Sequence, residues 1–339
     1  MLLKNKLVLC FLGFVGLLLS FGFAPSTPKS SKGVYTMPNK PPLLAKDDTV
    51  AIVAPACWAK DSKECIKKAT EVFQAWGLRV VIGKSIGPKY GMLAGEDSLR
   101  TEDLQQMLDD PTIKAILAYR GGYGTTRIID QLDFTRFLQH PKWVVGFSDI
   151  STILFKLDKL GIVSVHGEMP RHFIDTDYQT SISSLREVLF KGTTQITAKP
   201  DIRNSIGTVA APVVGGNLRM ICANIGTQSD LDARGKILVL EDIGEYLYDL
   251  DRMMGQLKRA GKLDHLAGLV VGGMVGMKGN MVDPLAKDAY GIVKLYVASY
   301  DYPVAFNFPI GHEAPNLAFP HGGIGRLSVT EEAVSLTFD

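Results

Sequence analysis

Short apolar runs alternate with stretches of helical periodicity from residue 47 to about residue 170. Such alternation predicts strands connected by helices, and therefore a parallel sheet that is covered on both faces. The apolar runs predict strands at residues 49–56, 78–82, 114–119, 143–147 and 163–166. The amphipathic stretches predict helices at residues 63–76, 99–108, 125–132 and 150–160.

The same rhythm returns in the last third of the chain. Residues 171–206 lack it, and we interpret them as the crossover between a first domain at 47–170 and a second, smaller α/β domain at 207–339. In the second domain the pattern predicts helices at 217–225, 250–260 and 286–300, and strands at 236–241, 266–271 and 304–308. Polar and apolar residues alternate at 325–338 around a Glu-Glu turn, which indicates a β-hairpin.

The first 24 residues differ from the rest of the chain. Lys4 and Lys6 precede an uncharged apolar run at 7–24, which is typical of a secretory signal. The run is also near the minimum length for a spanning helix, and the poor cleavage site before Pro25 leaves an uncleaved anchor as an alternative. A Pro-, Ser- and Lys-rich tether follows at 25–46. We therefore expect an exported protein, periplasmic or membrane-anchored and facing the periplasm, rather than a cytoplasmic one.

The composition argues against a nucleic-acid partner. The 37 basic and 35 acidic side chains nearly cancel, and no Lys/Arg block breaks that balance. A Cys57–Cys65 disulfide is compatible with export, but buried free thiols are the favoured interpretation. No His-x-x-x-His or Cys-x-x-Cys spacing occurs, so we predict neither a metal site nor a cofactor.

Ser148 lies where the strand predicted at 143–147 meets the helix predicted at 150–160. A serine at such a turn points its hydroxyl out of the sheet, towards the amides at the start of the helix. The sequence there is G-x-S-D, because Ile150 replaces the final glycine of the G-x-S-x-G motif. Ser148 is thus a candidate nucleophile, and the alternative is that Ser148 or Asp149 caps the helix.

The glycine-rich segment RGGYG at 120–124 follows another predicted strand. Clustered glycines let a backbone approach a ligand closely and present its amides. A dinucleotide-binding loop is disfavoured, because Arg127 occupies the third glycine position and no acidic residue ends the next strand. We interpret the loop as an anion or oxyanion site, with a purely structural turn as the alternative.

A catalytic serine needs a base, and six histidines are candidates. His166 ends a predicted strand and could line a cleft, whereas His312 follows a predicted strand in a loop position that is suited to catalysis. A structural role is the alternative for a lone histidine at such a position. The other four lie in loops or after an exposed helix: His140, His172, His265 and His321. Glu241 ends the strand predicted at 236–241 and could orient such a histidine; alternatively, Glu241 and Asp242 cap the following helix.

Together these segments resemble the LD-carboxypeptidases, also called muramoyltetrapeptide carboxypeptidases, and the related microcin-immunity hydrolases. The resemblance runs from about residue 47 to the end of the chain. It rests on these motifs in this order: VAPA at 53–56, YRGGYG at 119–124, GFSD at 146–149, VHG at 165–167, GGNL at 215–218, LEDIGE at 240–245, LDRMMGQL at 250–257, and PIGH at 309–312 with Pro315 and Asn316. Each motif is weak alone, but their joint order is specific.

The resemblance implies a Rossmann-like N-terminal domain, a smaller C-terminal domain and an active site in the cleft between them. It implies Ser148 as nucleophile, His312 as base and Glu241 as its orienting partner, with the amides of Gly122 and Asp149 as candidate oxyanion donors. It also implies a homodimer that releases terminal D-alanine from murein tetrapeptides.

The chain departs from the family pattern at two positions. Glu168 stands where members often have proline, and Cys57 where serine is usual. The best-known members act on wall peptides in the cytoplasm, whereas this chain has an export-like N-terminus, so a serine hydrolase of peptidyl-nucleotides or other acyl-amides remains an alternative. So does a non-catalytic exported ligand-binding protein.

Overall fold

The computed structural model describes residues 39–279 and 288–339. Its strands are β1 (Thr49–Val53), β2 (Arg79–Ile82), β3 (Ile113–Ala118), β4 (Trp143–Gly146), β5 (Ser164–His166), β6 (Thr194–Ala198), β7 (Gly207–Asn217), β8 (Ile237–Ile243), β9 (Gly268–Val275), β10 (Val304–Ala305), β11 (Phe319–His321), β12 (Ile324–Val329) and β13 (Val334–Phe338). Its α-helices are α1 (Ser62–Ala75), α2 (Asp97–Asp109), α3 (Thr135–Gln139), α4 (Ser151–Lys159), α5 (Gln179–Lys191), α6 (Leu218–Asn224), α7 (Leu247–Arg259) and α8 (Ala289–Val297). The signal or anchor predicted at 1–24, and the tether as far as residue 38, lie outside the described residues.

The N-terminal sheet has the strand order β11-β5-β4-β3-β1-β2, and all its strands are parallel except β11. Alternate residues of β1 belong to two separate cores, one containing Phe73 of α1 and the other Leu108 of α2. Because helices cover both faces, the strands are continuous apolar runs rather than alternating ones. The predicted parallel sheet with helices on both faces is confirmed.

The C-terminal sheet has the strand order β10-β9-β8-β7-β12-β13-β6. Strands β7 to β10 are parallel, whereas β12, β13 and β6 continue the sheet as antiparallel strands. The helices α6, α7 and α8 contribute to one core, in which Leu250 and Val293 are fully buried. The predicted second α/β unit and its β12–β13 hairpin are thus present.

Helix α4 joins the two sheets directly. Its Phe155 belongs to the same core as Leu218 of α6. Its Thr152 hydroxyl accepts a hydrogen bond from Asn224 Nδ2 at 3.0 Å. Strand β11 also crosses between the predicted domains: it comes from the segment 207–339 but pairs with β5 of the N-terminal sheet. The nucleophile turn, which precedes α4, therefore lies next to the C-terminal sheet.

Tertiary contacts override the local pattern in one predicted helix. The prediction of a helix at 125–132 is wrong, since the chain forms 3-10 turns at Thr125–Arg127 and Ile129–Gln131. Thr125 donates its amide to Asp149 Oδ2 at 3.0 Å and its hydroxyl to the Asp149 carbonyl at 2.6 Å. These bonds fix the start of the segment in a geometry that the apolar spacing does not reveal.

The predicted crossover at 171–206 contains regular structure. Helix α5 buries Leu185 and Val188 in the N-terminal core, while β6 pairs with β13 of the C-terminal sheet. The periodicity does not predict β7 either, because Pro212 and two consecutive glycines weaken its strand signal. In the helix predicted at 286–300, residues 286 and 287 lie outside the described residues, and the visible helix is shorter.

Cys57, Cys65 and Cys222 are free and buried, so the disulfide alternative between the first two is not what the structure contains. Among the helices of residues 39–279 and 288–339, none combines the length and the apolar character that a bilayer crossing requires.

Candidate active site

Ser148 occupies a strained turn between β4 and α4. Its φ of 62° lies in the left-handed region, which is uncommon for a residue other than glycine. No side chain caps the start of α4, so neither Ser148 nor Asp149 has the capping role that was the alternative. The turn thus has the strand–turn–helix geometry that exposes a nucleophilic hydroxyl at the end of a sheet.

The glycine loop lies directly against this turn. A Cβ on Gly121 would stand 3.2 Å from Ser148 Oγ and 3.3 Å from the Asp149 amide nitrogen. The next residue, Gly122, has a φ of 109°, and a Cβ there would lie only 2.7 Å from Cys57 Sγ. A side chain at Gly121 would fill the space beside the Ser148 hydroxyl, and one at Gly122 would collide with Cys57.

The carboxylate of Asp149 points into the glycine loop. Asp149 accepts a hydrogen bond from the Thr125 amide, and only 2% of its surface is exposed. Burial raises the pKa of the Asp149 carboxyl, and the hydrogen bonds from Thr125 oppose that shift. In the described part of the chain, the amide nitrogens of Asp149 and Gly122 are not committed to another acceptor. Both amides are therefore available to an oxygen placed beside Ser148.

The structure brings Ser148, His312 and Glu241 together. His312 Nε2 lies 2.9 Å from Ser148 Oγ, and His312 Nδ1 lies 2.6 Å from Glu241 Oε2. The side chain of His312 is 15% exposed, whereas that of Glu241 is completely buried. Burial lowers the pKa of His312, but the charge and the hydrogen bond of Glu241 outweigh it, so the pKa is raised above its ordinary value. The histidine is thus oriented with one nitrogen on a carboxylate and the other on the serine hydroxyl.

Two glycines make room for the Glu241 side chain. The pairing of β8 with β9 shifts register between Leu240 and Asp242, and a Cβ on Gly272 of β9 would lie 3.4 Å from Glu241 Cβ. Gly311 precedes His312 and has a φ of 121°; a Cβ there would lie 2.7 Å from Glu241 Oε2. Glu241 Oε1 has no hydrogen-bond partner in the described residues, so His312 is the contact that orients this carboxylate.

A second buried carboxylate supports the loop that carries His312. Asn316 Oδ1 accepts the Gly311 amide at 2.9 Å, and Asn316 Nδ2 donates to Glu168 Oε2 at 3.2 Å. The other oxygen of Glu168 accepts bonds from the Met169 amide and from His172 Nδ1. Sequence reasoning missed this role of Glu168. The only signal was that a charged residue replaces the family's usual proline.

His166 lies close to the site but cannot serve as its base. It is completely buried and stacks on Phe319, with 4.8 Å between ring centroids. Burial lowers the pKa of His166 to about 4, so the ring is neutral near pH 7. His321 is also buried and accepts the Gly215 amide, whereas His140 and His265 are exposed on the surface.

Asp242 is a structural residue, and neither it nor Glu241 caps α7. Asp242 accepts hydrogen bonds from the Arg219 amide and from Asn217 Nδ2, both at 3.0 Å. It therefore binds the start of α6. Burial raises the pKa of Asp242 to about 6. No group of three potential metal ligands occurs within residues 39–279 and 288–339.

Comparisons with known proteins show which family the chain is similar to. Family profiles described as the LD-carboxypeptidase N-terminal domain and the LD-carboxypeptidase C-terminal domain match residues 50–167 and 210–327. A probable murein peptide carboxypeptidase of Bacillus subtilis (strain 168) is 34% identical, over 89% of this chain and 95% of its own length.

Solved structures share the fold. The muramoyltetrapeptide carboxypeptidase from Oxalobacter formigenes superposes with a TM-score of 0.77 at 27% identity, covering 86% of this chain and 98% of that one. The microcin C7 self-immunity protein MccF superposes with a TM-score of 0.78, covering 90% of this chain and 99% of that one. At 20% sequence identity this similarity shows the fold alone. With both domain profiles matched in order and a relative above 30% identity along nearly its whole length, the chain belongs to the LD-carboxypeptidase family of serine peptidases.

Proposed function

We propose that this protein is a serine carboxypeptidase that hydrolyses the L,D-amide bond before the terminal D-alanine of murein tetrapeptides. The observation that carries the proposal is the single ring of His312, which contacts both Ser148 Oγ and Glu241 Oε2. The names of the relatives support the substrate, since they are murein peptide and muramoyltetrapeptide carboxypeptidases.

The geometry supports a Ser–His–Glu mechanism. His312 Nε2 takes the proton of Ser148 as its Oγ attacks the scissile carbonyl, and Glu241 stabilises the imidazolium that forms. The amides of Gly122 and Asp149 hold the oxyanion, a contribution of roughly 3 kcal/mol per donor. The imidazolium then protonates the leaving amine of D-alanine. Water, deprotonated by His312, attacks the acyl-enzyme; the bond to Ser148 Oγ breaks, His312 returns the proton to Oγ, and the shortened peptide leaves.

The first test is Ser148→Ala with release of D-alanine from a purified tetrapeptide as the measurement. We expect kcat to fall by about 10⁵- to 10⁶-fold, since loss of the nucleophile removes the action of the whole triad. Ser98→Ala, at an exposed position of α2, is the matched control and should retain full activity. Undiminished release by Ser148→Ala, in protein with an unchanged melting temperature, would contradict the nucleophile assignment.

The two alternatives are tested in parallel. A peptidyl-nucleotide amide assayed beside the tetrapeptide distinguishes the substrate classes by their kcat/KM values. A serine-reactive probe distinguishes enzyme from binding protein: we expect labelling at Ser148 that disappears in His312→Ala. Faster cleavage of the nucleotide conjugate would replace the murein substrate, and absence of labelling would favour a binding protein.

We also propose that the protein is exported, as a periplasmic or membrane-anchored enzyme. Lys4, Lys6 and the apolar run at 7–24 support this. Mass spectrometry of the mature N-terminus, with cell fractionation, tests it. A cut near residue 24 indicates a signal peptide, an intact N-terminus in membranes indicates an anchor, and an intact protein in the cytoplasm contradicts export.

A homodimer is the last part of this proposal, and it rests on the family resemblance. Sedimentation of the purified chain should give about twice the monomer mass of 36.9 kDa. A monomer mass at micromolar concentration would contradict the dimer without affecting the catalytic assignment.

A further inference from the structure

An open depression of about 610 Å³ lies beside the glycine loop. It is lined by Trp58, Ala59, Lys60, Asp61, Arg120 and Arg171. Three of these side chains are cationic and one is acidic. The acid, Asp61, is already neutralised by Arg171, whose guanidinium lies 2.9 Å from it. The depression therefore carries an excess of positive charge, which favours an anionic ligand.

Arg120 is the half-buried cation in this depression that has no carboxylate partner among the described residues; Lys60, which also lacks one, is exposed. Its Nη1 makes one long hydrogen bond, 3.4 Å, to the Trp58 carbonyl, and its Nε is buried without any acceptor. Among the described residues no carboxylate lies within ion-pair distance of it, whereas Arg127 in the same loop is paired with Asp97. Arg120 Nη2 makes no hydrogen bond among the described residues and is not buried, so an incoming carboxylate would gain both the charge and this free donor.

Arg120 is also correctly placed along the chain. It immediately precedes Gly121, whose absent side chain leaves the space beside Ser148 Oγ. In a peptide cleaved at its last bond, the terminal carboxylate carbon follows the scissile nitrogen by only two bonds. A peptide with its scissile carbonyl at Ser148 therefore carries its carboxylate within about one residue length, ~3.8 Å, of the reacting centre.

We infer that Arg120 binds the C-terminal carboxylate of the substrate in this depression, and thereby restricts cleavage to the last peptide bond. The inference rests on the proposed function and names the residue that makes the enzyme a carboxypeptidase. A guanidinium can hold both carboxylate oxygens through two parallel hydrogen bonds, which a lysine cannot do. Trp58 contributes an apolar wall, because its Nε1 is turned away to the Gly87 carbonyl.

The test compares two substrates, a tetrapeptide with a free C-terminal carboxylate and the same peptide as a C-terminal amide. We expect the natural protein to prefer the acid by about 10- to 100-fold in kcat/KM, the range of one charged hydrogen-bonding contact. In Arg120→Gln, kcat/KM for the acid should fall by about the same factor, while that for the amide changes less than about threefold. Arg120→Lys should recover part of the preference. Arg79→Gln, the same change at an exposed position of β2, should leave both values unaltered.

Two results would overturn the inference: equal cleavage of acid and amide by the natural protein, or an equal loss for both substrates in Arg120→Gln. The second would indicate that Arg120 only supports the loop. If the natural protein cleaves neither peptide, the proposed function fails instead. In that case, calorimetry measures the binding of both peptides to Ser148→Ala, with and without Arg120→Gln. If Arg120 binds the carboxylate, Ser148→Ala binds the acid more tightly than the amide, and the double variant binds the two peptides equally.

Discussion

Ser148 and His312 are held in the site by contacts of different range. The turn of Ser148 lies between consecutive elements, and its bonds to the glycine loop join Thr125 and Asp149, 24 residues apart. His312 depends on Glu241, 71 residues away, and on Asn316, whose bond to Glu168 spans 148 residues. The nucleophile is thus positioned within one sheet, while the base requires the two sheets to pack together. Errors in that packing should affect the base before the nucleophile.

The largest effect on the base, as distinct from the nucleophile, should come from Glu241→Gln. The amide can present its NH₂ group to His312 Nδ1, which favours the tautomer with its proton on Nε2, and it removes the charge that stabilises the imidazolium. We expect kcat for D-alanine release to fall by about 10⁴-fold, as when the acidic member of such a triad is made an amide. Labelling of Ser148 by a serine probe should slow in parallel.

Glu245→Gln is the matched control, because Glu245 follows the same strand but pairs with Arg219 instead of the histidine. It should retain kcat within about threefold, the loss of a half-exposed ion pair. A Glu241→Gln enzyme with nearly full activity would show that His312 does not need its long-range partner. The difference between the contacts that position Ser148 and those that position His312 would then have no functional consequence.

Gly121→Ala tests the short-range contacts between the glycine loop and the turn of Ser148. Its added Cβ would stand 3.2 Å from Ser148 Oγ and 3.3 Å from the Asp149 amide, and Gly121 has no positive φ that would strain the alanine. We expect kcat/KM to fall by about 10²- to 10³-fold, comparable to the loss of an oxyanion donor, with little change in melting temperature. Gly161→Ala, at a position with open space, is a useful contrast: its φ of 73° should cost stability but not activity. A fully active Gly121→Ala would mean that the loop does not border the reacting centre.

The same difference in range explains what the sequence predicts. The parallel N-terminal sheet and the turn at Ser148 follow from local periodicity and turn position, because consecutive residues determine them. Local pattern leaves His312 and Glu241 as candidates among several, and the family resemblance alone selects them. Neither approach predicts the role of Glu168, since its bond to Asn316 arises only when β11 pairs with β5 and the segment before β11 contacts α5.

The smallest effect should come from Glu168→Gln, measured as the pH dependence of kcat/KM. His312 acts as a base only when neutral, so activity is lost as the pH falls through its pKa. That pKa is raised chiefly by Glu241, and also by the nearby charges of Asp242 and Glu168, against the lowering effect of burial. Removing the charge of Glu168 should therefore move the acidic limb of the profile to lower pH.

The glutamine can still accept from Asn316 Nδ2 through its carbonyl oxygen, but its NH₂ group then faces the buried Met169 amide, which should lower the melting temperature. We expect kcat on the plateau to fall only about two- to fivefold, the worth of one weakened hydrogen bond. The raised pKa of His312 also affects the stability of the fold. Its contribution to the free energy of unfolding is fully present below the pKa that His312 has in the unfolded chain, and it is lost as the pH rises through the pKa in the folded protein. Glu168→Gln should reduce that gain. Glu187→Gln, at an exposed ion pair on α5, should shift neither the profile nor the stability. If both variants gave the same acidic limb as the natural protein, the charge of Glu168 would not reach His312, and its role would be limited to holding Asn316.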